Sequence, residues 1–176
     1  MGTGLQAIEA ADLARLGAVD ILGDLDGAER DRVLAIARRV VFRSGETVMR
    51  EDECGDTMYL FISGEVDVTK NLTLKLGERD FAKAEKSMNK LSAEHVSIFG
   101  EMSMFGPEPR SATITASSDC VLYEIRREDF TALCDAEPRL GLSVLRRVAG
   151  VLCSRVRKGN EDVLKLSTAL SIALSR

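Results

Sequence analysis

Between Val40 and Arg126 the apolar residues come in short runs, several of them strictly alternating with polar ones, and turn-forming residues break the runs apart. A period of two throws successive side chains to opposite faces, a pattern that a helix cannot use and a paired strand can. Val40-Val41-Phe42, Thr47-Val48-Met49, Met58 to Ile62, Val66 to Thr69, Leu72-Leu74-Leu76, Val96 to Phe99, Ser111 to Ala116 and Cys120 to Arg126 therefore read as strands. In the last of these Val121, Tyr123 and Ile125 share one face. Ser44-Gly45-Glu46 and Ser63-Gly64-Glu65 read as turns in which glycine takes the positive φ that other residues resist. Many short strands at this spacing point to a sandwich, barrel or roll.

The flanks follow a helical period. Leu5, Ile8, Leu13, Leu16, Val19 and Leu22 predict a helical lead-in. Asp26-Gly27-Ala28-Glu29 has the form of a capping box and predicts a helix through about Arg39 that buries Val33, Leu34, Ile36 and Ala37. Between Gly77 and Glu94 the chain turns charged, with Phe81, Ala84, Met88 and Leu91 at helical spacing, which predicts an inserted helix or an excursion. After Arg127 helices return. Leu145, Val148, Leu152 and Val156 mark one, and Val163, Leu166, Leu170 and Ile172 to Leu174 mark another beyond a break at Gly159-Asn160. Such a stripe either packs on its own domain or forms a dimer seam.

A chain of 176 residues with 45% hydrophobic content fits one core with helical appendages. A net charge of -4 and a pI near 5.2 argue against a standing attraction to nucleic acid. The basic residues Arg146, Arg147, Arg155, Arg157 and Lys158 then read as a solvated helix face. Four cysteines without a Cys-x-x-Cys pair read as reduced thiols, and Cys120 beside Asp119 as a structural one. His95, the single histidine, has no partner at ligand spacing and reads as a surface residue rather than a metal ligand. No acid/base pair assembles, so the chain is not expected to be an enzyme. Without a signal peptide or a long apolar run it is expected to be a soluble cytoplasmic protein with no membrane contact.

One segment is chemically distinctive: Phe99-Gly100-Glu101-Met102-Ser103-Met104-Phe105-Gly106-Pro107-Glu108-Pro109-Arg110-Ser111-Ala112-Thr113. It places a short helix between two strands. Gly100 allows a sharp turn and a close backbone approach, and the free amides at the helix start are anion donors. Arg110 follows a Pro-x-Pro stretch that stiffens its support, and a guanidinium so held suits a forked contact to phosphate. A carboxylate at Glu101 would oppose that phosphate, so its task must differ, and a sugar hydroxyl is the natural donor to it.

The order and spacing of these residues resemble the phosphate-binding cassette of cyclic-nucleotide-binding domains: Phe-Gly-Glu, small or apolar residues, a variable loop, then Arg, a small residue and Ala. The framework upstream is similar too, in Gly45-Glu46, Gly55-Asp56, Tyr59 to Ile62 and Ser63 to Val66. Asp52 departs from the family's usual glycine, although Asp tolerates a left-handed backbone better than most residues. The stretch from Gly77 to Glu94 is longer than the family's hairpin.

The resemblance implies an eight-stranded β-roll, a jelly-roll or cupin-like double-stranded β-helix, in a mainly β chain with N-terminal and C-terminal helices. It divides the chain into a lead-in over residues 1–20, a nucleotide-binding roll over 21–130 with the cassette at 99–113, and lid helices over 131–176. It implies a ligand site of Phe99, Gly100, Glu101, Met102, Ser103, Arg110, Ser111 and Ala112, with Arg110 on the cyclic phosphate and Glu101 on the ribose 2′-hydroxyl. Val151, Leu152, Cys153 and Ser154 are the expected approach to the base. No cofactor is implied beyond the ligand, cyclic AMP ahead of cyclic GMP.

Relatives of the catabolite activator type continue into a helix-turn-helix. Here the residues after Arg126 are taken up by the two striped helices, so direct DNA binding is not expected. The expected function is a nucleotide sensor or regulatory subunit, a homodimer through its C-terminal helices, that signals to a protein partner of unknown identity. The alternatives are a dimerising scaffold with a vestigial pocket, or a catabolite-activator-type regulator lacking its DNA-binding domain.

Overall fold

The computed structural model describes residues 10–17, 19–75 and 81–175. Leu5 and Ile8 of the predicted lead-in, and the residues from Leu76 to Asp80, lie outside them. The chain begins with helix α1 (Ala10–Leu16), a single 3-10 turn (Asp20–Leu22) and helix α2 (Gly27–Ala35). The capping box forms as expected: the Glu29 amide donates to Asp26 Oδ1 at 2.8 Å and the Asp26 amide to Glu29 Oε2 at 3.0 Å.

Helix α2 stops at Ala35, short of the expected Arg39, because Ala37 to Phe42 form strand β1 instead. That strand pairs with Cys120–Arg126, strand β8, from Ala37 opposite Ile125 to Phe42 opposite Cys120. A full antiparallel ladder satisfies more backbone groups than one further helical turn would. Arg39 gains a second partner in that position, described below.

The remaining strands are β2 (Thr47–Met49), β3 (Thr57–Ser63), β4 (Glu65–Lys75), β5 (Phe81–Ser92), β6 (Ile98–Phe99) and β7 (Thr113–Ala116). They form two four-stranded antiparallel sheets, ordered β1-β8-β3-β6 and β2-β7-β4-β5, which together make the expected eight-stranded roll with flanking helices. Where the sequence predicts an inserted helix or an excursion between Gly77 and Glu94, the described residues Phe81–Ser92 form a strand instead. Strand β5 runs back along β4 from Lys75 opposite Phe81 to Glu65 opposite Ser92, with one irregularity at Val68/Thr69. The two apolar runs at Val66 and Leu72 therefore belong to one long strand. The helical spacing of Phe81, Ala84, Met88 and Leu91 is weak beside an exposed β4 edge whose amides and carbonyls need partners.

Strand β3 is buried on both faces, which is why it reads as the continuous run Met58 to Ile62 rather than an alternating one. Met58, Leu60 and Ile62 join Leu16, Ile21, Val33, Leu140, Val144 and Val148 in a helix-facing core. Tyr59 and Phe61 join Val66, Phe99, Ile114 and Leu122 inside the roll. Strand β8 repeats the division, with Tyr123 and Ile125 toward the helices and Cys120 and Leu122 toward the roll. Asp12 of α1 locks the helical layer to this sheet. It is buried and accepts from Arg39 Nε at 2.8 Å and from the Tyr123 hydroxyl at 3.0 Å.

After β8 come α3 (Arg127–Ala136) and α4 (Pro138–Leu174). The expected break at Gly159-Asn160 does not occur. A helix-interior glycine costs only about 1 kcal/mol, and without a proline nothing else interrupts the ladder. Helix α4 packs on the roll through Leu140, Val144 and Val148, and from Cys153 onward its residues are exposed.

Two outcomes follow from these contacts. Asp12→Asn removes the charge from a buried charge-assisted pair and should lower stability by about 2 kcal/mol. Calorimetry should then record a melting temperature about 4–8 °C lower, and an unchanged one would deny the contact that role. A Cβ at Gly159 meets no atom within 4 Å. Gly159→Ala should therefore slow amide exchange over residues 160–170 about fivefold, whereas a true helix break at that point would leave exchange unchanged.

Candidate functional site

The segment from Phe99 to Thr113 folds as a shelf between β6 and β7. Phe99 anchors its start, with its ring centroid 5.4 Å from Tyr59 and 5.5 Å from Phe61. Gly100 then turns the chain at φ 74° into a 3-10 turn, Glu101–Met104. A Cβ at Gly100 would stand 2.9 Å from Arg110 Nη1 and 3.0 Å from the Thr57 carbonyl, so the position needs glycine for space as well as for φ.

Arg110 arrives from the far side of the loop with its backbone already fixed. Its amide donates to the Glu53 carbonyl at 2.9 Å and its carbonyl accepts from the Asp52 amide at 3.1 Å. Asp52 makes that exchange possible by adopting a left-handed backbone, φ 66°, where the family pattern has glycine. The side chain turns inward and is 7% exposed. Nη1 donates to Thr57 O at 2.7 Å, Ser103 Oγ at 2.9 Å and Gly100 O at 3.3 Å, while Nη2 donates to Thr57 Oγ1 at 2.7 Å. Gly55 lies against the guanidinium so closely that a Cβ there would collide with it.

Every one of these acceptors is neutral. Among the described residues no carboxylate lies within ion-pair distance of Arg110, so a buried positive charge has no counterion of its own. Glu101 presents the complementary case. It is 2% exposed; its Oε1 accepts from Arg155 Nη1 at 2.6 Å, and its Oε2 is buried with no hydrogen-bond partner. A buried charge without a counterion and a buried carboxylate oxygen without a donor are both costly unless a ligand completes them.

Both groups line one cavity of about 410 Å³. All eight residues expected at the ligand site meet there: Phe99, Gly100, Glu101, Met102, Ser103, Arg110, Ser111 and Ala112. Met49, Val68, Leu91 and Ile114 add an apolar wall. Of the four α4 positions expected near a base, Leu152 alone lines this cavity, with Arg155 and Val156 beside it. Val151 and Ser154 border a larger neighbouring groove of about 770 Å³, and Cys153 is exposed and borders neither. The helical period explains the split, because residues three and four apart share a face and Leu152, Arg155 and Val156 are so related.

Arg155, for which sequence context predicts a solvated face, keeps 40% of its side chain exposed yet also reaches Glu101 in the site. Arg127, at the start of α3, also escapes sequence reasoning; its Nη1 donates to Gly106 O at 2.6 Å and Ser103 O at 3.2 Å, stapling the loop from behind. Thr57 is another residue that local pattern does not single out. For Arg155 a signal existed, a cation three residues beyond Leu152 on an otherwise apolar face. Thr57 meets Arg110 only through folding, 53 positions apart.

The other candidates for chemistry are quiet. Burial pushes the Cys120 thiol up, and its sulfur contacts the carbonyls of Glu65 and Ser118. A thiol kept protonated is a poor nucleophile. Burial likewise pushes the Tyr59 phenol up. Among the described residues no group of His, Cys, Asp and Glu is placed to hold a metal, and no helix is long and apolar enough to cross a membrane.

An eight-stranded roll whose cassette brings a buried arginine and a half-satisfied carboxylate to the lining of a single cavity has the architecture of a small-ligand-binding domain. The model of the cyclic nucleotide-binding domain family matches residues 39–137, more than half of the chain, and the chain belongs to that family. It is 28% identical over 147 residues to the CRP-like cAMP-activated global transcriptional regulator of Mycobacterium tuberculosis, covering 82% of this chain and 59% of the relative. It is 27% identical over 148 residues to the cyclic nucleotide-gated potassium channel mll3241 of Mesorhizobium japonicum, covering 82% of this chain and 37% of the channel. The chain therefore spans between about a third and three-fifths of the length of these relatives. Among solved structures, a cyclic nucleotide-binding domain from Methylobacillus flagellatus superposes with a TM-score of 0.72 at 25% identity, over 88% of this chain and 81% of that one.

Thr57→Val keeps the shape of the side chain and removes the 2.7 Å acceptor of Arg110 Nη2. Loss of a buried bond to a charged group should lower stability by about 1.5–3 kcal/mol in urea unfolding. A loss below about 0.5 kcal/mol would mean that the guanidinium is not seated as described.

Proposed function

We propose that the chain is a cyclic nucleotide sensor in which Arg110 binds the cyclic phosphate and Glu101 accepts a hydrogen bond from the ribose 2′-hydroxyl. The observation that carries this reading is the pair of incomplete groups in one cavity: a buried guanidinium with neutral acceptors only, and a buried carboxylate oxygen with no donor. A cyclic nucleotide brings an anion for the first and a hydroxyl for the second. Gly100, Ser103, Ser111 and Ala112 close around the phosphate, while Phe99 and Met102 border it. Leu152 and Val156 of α4, with the apolar wall opposite, form the base end. Cyclic AMP is the proposed ligand ahead of cyclic GMP, a preference favoured by the Mycobacterium relative, which is cAMP-activated by name.

In this reading residues 21–130 are the binding unit and residues 131–176 carry its signal. The distal part of α4 supports an output through contact with other chains. Val156, Val163, Leu166 and Leu170 lie along it at 62%, 66%, 71% and 61% exposure, a spacing of seven, three and four that suits a seam between two copies. The sensor is then a homodimer that acts on a protein partner rather than on DNA, and works by binding rather than catalysis. Four free thiols are in keeping with the reducing cytoplasm.

Titration calorimetry with cyclic AMP and cyclic GMP tests the ligand. Arg110→Ala should weaken binding about 10- to 150-fold, the equivalent of one charge-assisted contact. Absence of heat with either nucleotide would favour a scaffold with an unused pocket. An affinity unaffected by Arg110→Ala would move the phosphate elsewhere.

A further inference from the structure

We infer that Arg155 couples helix α4 to the ribose end of the nucleotide site, so that hydroxyl recognition and docking of the helix are one event. The inference rests on the nucleotide reading above and adds a positioning residue to it. One guanidinium makes both contacts. Nη1 donates to Glu101 Oε1 at 2.6 Å, and Nη2 donates to the carbonyl of Ile98 in strand β6, also at 2.6 Å. Arg155 thereby spans from α4 to the strand that enters the cassette and to the first side chain of the cassette's turn.

Its place along α4 makes the contact consequential. The helix buries Leu140, Val144 and Val148 and half-buries Val151 and Leu152 against the core. Beyond Arg155, the hydrogen bonds and ion pairs found among the described residues stay within the helix, as in Lys165 with Asp162 and Thr168 with Leu164. Arg155 is therefore the last polar anchor before the exposed distal segment. An arginine is fitted to this task because its planar fork serves a carboxylate and a carbonyl together, which a lysine ammonium does less well.

The chemistry at Glu101 supplies the linkage. An ionised carboxylate in a cavity that also receives a phosphate repels that phosphate, and the Arg155 charge offsets the repulsion. Held through Oε1, the carboxylate keeps Oε2 buried and unpartnered, and the inference gives that oxygen to the hydroxyl. A ribose hydroxyl bound to Oε2 in turn holds Glu101 where Arg155 needs it. By reciprocity, whatever the helix contributes to hydroxyl binding, the hydroxyl contributes to helix docking. A 2′-deoxy nucleotide satisfies Arg110 but lacks this lever.

The test compares wild type, Arg155→Gln and Arg155→Lys with cyclic AMP and 2′-deoxy cyclic AMP by calorimetry, and follows amide exchange over residues 150–158 without ligand. Wild type should prefer the 2′-hydroxyl by about tenfold, and Arg155→Gln should lose most of that preference, its loss of affinity for cyclic AMP exceeding its loss for the deoxy nucleotide. Arg155→Lys should recover part of it. Without ligand, exchange over residues 150–158 should be several-fold faster in Arg155→Gln than in wild type. Full retention of the hydroxyl preference in Arg155→Gln, or equal losses for both nucleotides, would overturn the coupling. Unchanged exchange would overturn the anchor. If wild type binds neither nucleotide, the nucleotide reading fails and takes the hydroxyl coupling with it, while the exchange comparison still decides whether Arg155 anchors α4.

Discussion

Strand β3 has no solvent face, and the organisation of the molecule follows from that constraint. With Met58, Leu60 and Ile62 committed to one core and Tyr59 and Phe61 to another, the strand cannot slip by one residue without inverting both sets. The helical layer and the roll interior are thus registered against each other through a single strand and its partner β8. The first residue of β3, Thr57, offers both its carbonyl and its hydroxyl to Arg110. The two-sided burial that fixes the fold therefore also fixes the position of the buried Arg110 guanidinium.

Around that guanidinium the backbone is arranged to hold a charge it does not neutralise. Gly55 and Gly100 leave room for it, Asp52 takes a left-handed conformation to receive its main chain, and Arg127 braces the loop behind it. Burial of a cation among neutral acceptors makes sense for a site that awaits an anion, because the ordering is done before the ligand arrives. Glu101 is treated differently. One of its oxygens is given to Arg155 and the other is kept free, and through Arg155 the same carboxylate touches the helix whose distal half is exposed. In the proposed reading, phosphate recognition belongs to the roll and hydroxyl recognition to the contact between roll and helix.

The cassette was legible in the sequence because its determinants are local. Phe99-Gly100-Glu101 and Arg110-Ser111-Ala112 are held by a turn that needs glycine and by a loop stiffened at Pro107 and Pro109, and the eight expected residues do share a cavity. The strands at Met58, Val66 and Cys120 and the capping box at Asp26 were legible for the same reason, each being a matter of side-chain period or of neighbours within a few residues, whereas the left-handed Asp52 was legible only through the family resemblance.

Tertiary context decided the rest, and in each case the reason is a partner distant in sequence. Phe81 to Ser92 became a strand because β4 offered an edge, Arg39 left the helix because β8 and Asp12 claimed it, and Gly159 stayed helical because nothing competed with the helix there. Arg155 reads as one cation among several on a polar helix face until the fold brings Glu101 and the Ile98 carbonyl to it across more than 50 positions. Local spacing specifies which groups can recognise a ligand. Only long-range packing specifies which charge is left without a partner, because that is settled by the neighbours a side chain does not have.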